Sequence, residues 1–162
     1  MSVLKADRKE SKIEAVIYAE KIRCALLKLM KDDFGIDAVH TAVRPQYSAN
    51  GETRNADWCF SLMRSIKIKI DQEATLLSDD VRRALSHYPT NMEEYQTRRR
   101  YQNQAIARCV CMRKDLEHVA EVFCVNLNRF RESTDALNRE IELIKKWRQR
   151  DNRFKKTMRG SL

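Results

Sequence analysis

The chain reads as an all-α protein, and three observations predict it. Only three glycines and two prolines interrupt 162 residues, 34% of the residues are charged, and long tracts carry apolar residues at three-and-four spacing. A turn-rich β fold needs far more punctuation. The length suits one continuous core. The expected architecture is an antiparallel up-down four-helix bundle over residues 1–144, with a long connection at about 33–54. Residues 145–162 are expected to form a basic C-terminal helical extension.

A first helix is expected over residues 12–31, where Ile13, Val16, Ile17, Cys24, Leu27 and Met30 approximate a helical stripe. Ser11 with Glu14 offers a capping box. Ile22, Leu26 and Leu29 widen the apolar face, and Gly35 is a stop signal. From 37 to 54 the period dissolves around Pro45 and the Asn50-Gly51 turn dipeptide, giving either a crossover without regular structure or a short hairpin.

The second helix is expected from Asn55, with Cys59, Leu62, Ile66, Ile70, Ala74, Leu77, Val81 and Leu85 as its stripe. Residues 65–71 (SIKIKID) alternate like a strand, but the helical stripe runs unbroken on both sides. Pro89 then forces a corner, and Thr90 with Glu93 or Asn91 with Glu94 restarts the chain as a third helix. Its heptad row Tyr95, Gln102, Cys109, Leu116, Phe123, Phe130 extends it to residue 130, more than about 50 Å at 1.5 Å per residue. Ser133, Thr134 and Asp135 mark a restart, after which Leu137, Ile141 and Ile144 open a fourth stripe. Arg148 and Asp151 stand where that seam would continue, so the fourth helix is expected to leave the bundle near Trp147.

The net charge is +9, and residues 143–162 hold eight basic side chains against Asp151, which leaves +7 in this segment alone. Such a balance favours a polyanionic partner. The candidates are Lys145, Lys146, Arg148, Arg150, Arg153, Lys155, Lys156 and Arg159, with Trp147 and Phe154 interleaved to stack on unpaired bases. The plainer alternative is a basic helix end that serves solubility and the helix dipole. A membrane-surface helix fits less well, because its apolar face is narrow.

A second basic cluster is Arg98-Arg99-Arg100. At 100° per residue, Arg98 and Arg99 flank the Tyr95 stripe and Arg100 points away. Either the first two cover the core edge and pair with Glu93 or Glu94, or they border a subunit interface or a basic opening.

Five cysteines fit no disulfide framework and read as buried, reduced thiols, while Cys109 and Cys111 point about 200° apart on a helix, unlike a metal pair. His40, His87 and His118 are scattered, and no phosphate loop, nucleophile elbow or His-Glu-x-x-His pair is present. No enzyme activity, cofactor or metal is expected. With neither a secretion signal nor an apolar run long enough to span a bilayer, the expected location is cytoplasmic.

The N-terminal SVLKADRKES, the corner SHYPTN and the pattern of Glu94, Arg98, Arg99, Tyr101 and Ala105 (E-x3-RR-x-Y-x3-A) resemble the Avd-type four-helix-bundle proteins of bacteria. These are accessory variability determinants encoded beside the reverse transcriptases of diversity-generating retroelements. The resemblance covers about residues 2–130 and is most specific at the YPTN corner. It implies a non-enzymatic subunit in a homo-pentamer that binds a reverse transcriptase and its template RNA or cDNA, with Arg98 and Arg99 on the basic surface. The long connection and the basic tail depart from the compact members of that family.

Overall fold

The structure, a computed structural model, describes the backbone of residues 3–36 and 56–159. Four long helices account for nearly all of it: α1 Val3–Lys31, α2 Ala56–Ser86, α3 Met92–Val122 and α4 Arg131–Arg159. The expected connection falls mostly on residues 37–55, outside the described set. The main packed pairs are α1 with α2, α2 with α3, α3 with α4, and α4 with α1.

Helix α1 starts well before residue 12, so Ser11 lies inside it rather than at its start. Its core face is also rotated from the expected stripe. The buried row is Ala15, Ala19, Ile22, Leu26 and Met30, whereas Ile17 (48% accessible) and Leu27 stay exposed. Two alanines explain the difference: they carry little hydrophobic signal in the sequence, but their small side chains suit close helix packing.

Helix α2 buries Cys59, Met63, Ile66, Ile70, Ala74, Leu77, Val81 and Ala84 in an unbroken three-and-four row. The alternating stretch is helical, as the longer pattern requires. Lys67 and Lys69 from that stretch point to neighbouring helices and pair with Asp33 and Asp115.

At the corner, Asn91 caps α3 by accepting from the Glu94 backbone N–H at 2.9 Å. Glu94 reaches back to the Thr90 backbone N–H at 2.8 Å and to the Thr90 hydroxyl. Of the two expected capping pairs, Asn91 with Glu94 is the one realised, and Thr90 bonds Glu94 rather than Glu93. The bonds from Thr90 hold the Glu94 carboxyl below its ordinary range.

Helix α3 is shorter than expected, ending at Val122, and its 31 residues span about 46 Å. Cys124 adopts left-handed backbone (φ 56°), and the Val125 N–H bonds the Ala120 carbonyl at 3.2 Å. This is a Schellman closure with cysteine where glycine is usual. A short 3-10 turn, Leu127–Phe130, then leads into α4. Ser133, expected at a break, is buried inside α4.

A second 3-10 turn, Asp33–Gly35, closes α1 with Phe34 fully buried, so the expected connection begins with a core anchor. Phe34 meets Phe130 edge to face at 6.0 Å. The Gly35 carbonyl accepts from Arg129 Nη1 at 2.5 Å. The left-handed backbone at φ +74° favours glycine there, and a Cβ would push the Arg129 guanidinium aside.

Partners across neighbouring helices run in opposite directions along the chain. Glu20 pairs with Arg82 and Asp33 with Lys67; Lys69 pairs with Asp115 and Glu73 with Arg108. Tyr95 meets Asn152 and Arg113 meets Asn138, while Glu14 meets Arg139 and Gly35 meets Arg129. The α2–α3 corner and the end of α4 consequently share one end of the molecule.

The expected thiol burial holds for Cys59 and Cys109 only; Cys24, Cys111 and Cys124 are exposed, and no disulfide joins any of the five. Burial pushes the Cys109 thiol up, with the Glu140 charge adding to it. Among the described residues, no helix is long and apolar enough to cross a membrane.

Candidate nucleic-acid interface

Three turns of sequence meet at the corner end: the chain entering Pro89, the first two turns of α3, and the last turns of α4. Arg98 joins all three. Its Nε and Nη2 donate to the two Asp151 oxygens at 2.7 and 3.0 Å, and its Nη1 donates to the His87 carbonyl at 3.1 Å. Its guanidinium lies 4.9 Å from the centre of the Trp147 ring. Gln102 Nε2 adds a bond to Asp151 at 2.8 Å.

Arg98 is 1% accessible, which corrects the expectation that it contacts a phosphate or a partner. Its partner is Asp151 rather than Glu93 or Glu94. Trp147, also 1% accessible, lies in the core and offers no face to a base. The fourth helix therefore does not leave the packed interior near Trp147; Asp151 is buried a full turn later. Asp151 on the continuation of the fourth seam, and Arg98 flanking the Tyr95 stripe at the same end of the neighbouring helix, were the sequence signal for this pair.

Arg99 stands differently. It is half-buried, lies 5.5 Å from the centre of the Tyr95 ring, and donates to the Tyr95 hydroxyl at 2.9 Å and to Asn152 Oδ1. The Tyr95 hydroxyl also donates to Asn152 Oδ1, at 3.1 Å. With that oxygen occupied twice, the Asn152 amide presents its N–H donors.

Arg99, Lys145, Arg148, Gln149 and Asn152 line a shallow cavity of about 200 Å³ between α3 and α4. No carboxylate lines it. Burial, reinforced by the Arg99 charge, lowers the Arg148 pKa, and Arg148 Nε is buried without a hydrogen-bond partner. Lys145 contributes a half-open ammonium that bonds Glu142 at 3.0 Å outside the groove. Such an arrangement of like charges and amide donors can hold an oxyanion.

The other expected contacts spread around α4. Lys146 and Arg153 are exposed, while Arg150, Phe154 and Lys155 are half-buried. The side chains of Lys156 and Arg159 lie outside the described residues. Of the six of these cations whose side chains are described, only Lys145 and Arg148 join Arg99 in the groove.

Sequence reasoning missed the aromatic part of this end. His87 stacks on Tyr101 at 5.7 Å and 13°, and Tyr101 is flanked by Arg83 at 5.8 Å and Arg100 at 5.4 Å. Tyr88 meets Phe154 edge to face at 5.7 Å and is 60% accessible, the most exposed large apolar side chain among the described residues. Its place directly before Pro89 was the available clue.

A larger groove of about 1010 Å³ between α1 and the start of α4 carries three acids and three bases, so it has no preference for a polyanion. Among the described residues, no three His, Cys, Asp or Glu side chains converge in a metal-sized group. The chain matches no protein-family model, no curated protein and no solved structure.

Proposed function

We propose that this chain is an antiparallel up-and-down four-helix bundle acting as a non-catalytic, nucleic-acid-binding accessory subunit. By its resemblance to the Avd-type proteins, it works beside a reverse transcriptase on template RNA or cDNA, as a homo-oligomer, with a pentamer as the family's form. The opposite running of partner residues supports the antiparallel arrangement. The observation that carries the binding is the groove of Arg99, Lys145 and Arg148, which gathers three cations and two amides without a lining carboxylate. Five cysteines outside any disulfide suit a reducing compartment, in keeping with a cytoplasmic location.

The test measures RNA affinity against salt for the full chain and for Arg99→Ala with Arg148→Ala. Truncation after Leu143 is unsuitable, because it removes Trp147 and Asp151 from the interior. Each lost phosphate contact should flatten the salt slope by about 0.7 to 0.9. A parallel co-purification with the neighbouring reverse transcriptase tests the accessory role. Unchanged slopes would remove the groove, and no association with polymerase or RNA at low salt would sink the proposal.

A second reading is a structural or regulatory helical protein whose basic tail serves solubility or a protein partner. It is favoured by the interior position of Trp147 and Asp151 and by the pairing of Lys145 with Glu142. Salt-independent oligomerisation without RNA binding is its signature.

A further inference from the structure

Tyr88 is a large aromatic side chain set on a stiff stretch of backbone yet turned to solvent. Three features stiffen that backbone. The His87 carbonyl accepts from the buried Arg98, the Tyr88 carbonyl accepts from the Thr90 N–H at 2.9 Å, and Pro89 is buried with its φ fixed by the ring. A ring held this way loses little conformational entropy when something packs on it.

Its surroundings select the occupant. Phe154 supports the ring from one side. Behind the corner, the His87–Tyr101 stack carries exposed Arg83 and Arg100, and Arg153 stands beside Phe154 on α4. The nearby Glu94 carboxylate is engaged by Thr90. An apolar protein segment would gain from the ring but little from these cations. A flat base joined to phosphates gains from both.

We infer that Tyr88, supported by Phe154, is a stacking platform for an unpaired base, which makes the ligand single-stranded nucleic acid rather than a duplex. This rests on the nucleic-acid reading above and narrows it. The phosphate groove can grip either form, since backbone charge is common to both. Only a strand with a free base face can use Tyr88.

The experiment uses the full chain with Tyr88→Ala and Tyr88→Phe. Anisotropy titrations compare a labelled single-stranded oligoribonucleotide with a duplex of the same length. A 2-aminopurine base in the single strand reports stacking. Tyr88→Ala should weaken single-strand binding by about tenfold and abolish the 2-aminopurine quench, with duplex affinity unchanged and Tyr88→Phe close to wild type. Equal losses for both ligands, or no loss for either, would overturn the platform while leaving the groove's salt dependence intact. Loss of reverse-transcriptase association with unchanged RNA affinity would overturn it too, reassigning the ring to a protein contact. No salt-dependent binding by the wild type would instead defeat the broader nucleic-acid reading.

Discussion

Replacing Arg98 by alanine tests whether it fastens the interior or touches RNA. The substitution removes two bonds to Asp151, at 2.7 and 3.0 Å, and one to the His87 carbonyl. Asp151 is then left buried with Gln102 as its remaining partner among these. An unmatched buried charge of this kind costs about 3 to 5 kcal/mol. For a chain of this size that lowers Tm by roughly 6 to 20 °C.

Urea unfolding followed by tryptophan fluorescence measures the change, since Trp147 lies against the Arg98 guanidinium. The double variant Arg98→Met with Asp151→Leu removes both charges and should recover most of the loss, because well-packed apolar residues replace buried pairs at little cost. RNA affinity of that double variant should keep the wild-type salt slope. A loss below about 1 kcal/mol for Arg98→Ala, as for an exposed pair, would refute this account. So would a flattened salt slope in a fully stable double variant, which would return Arg98 to the binding surface.

Glu140 is fully inaccessible, both its oxygens lack partners, and burial, with the Glu14 charge adding to it, pushes its carboxyl up to about 8. Its contribution is fully present below the ordinary carboxylate range. As pH rises from there toward 8 the folded state keeps a proton that the unfolded chain has released, so stability falls by up to about 1.4 kcal/mol per pH unit. Glu140→Gln should remove that slope in urea titrations between about pH 5 and 8; identical slopes would exclude Glu140 as its source. Asn91→Ala should cost about 1 kcal/mol through loss of its bond to the Glu94 N–H, read as a lower urea midpoint with an unchanged m-value.

Much of the helical content was legible because α2 and α3 repeat their apolar residues with little interruption. The corner was legible too, since Pro89, Asn91 and Glu94 each state a local constraint. The end of α3 was not: the turn uses left-handed Cys124 without glycine or proline, and the heptad row continues through Phe123 and Phe130, both buried although neither is in α3. The α1 face was misread because Ala15 and Ala19 are weak in any hydrophobic pattern.

The site was legible only in part. Basic composition pointed to α4 and Arg99, but whether a charge faces water or another charge depends on a partner 53 residues away, as Arg98 and Asp151 demonstrate. Trp147 failed as a stacking candidate for the same reason, since a tryptophan in a basic run gives no sign of being the residue that fills the core beneath an arginine.

The two ends of this molecule are fastened by different physics. Phe34 on Phe130 is an apolar closure, while Arg98 on Asp151 is an ionic one. On warming, the desolvation penalty of a buried ion pair keeps shrinking, whereas hydrophobic stabilisation levels off. Heat should therefore loosen the Phe34 end first and leave the corner that carries Tyr88 in register. Amide exchange followed separately at the two ends across temperature would show this polarity, and a uniform response would deny it.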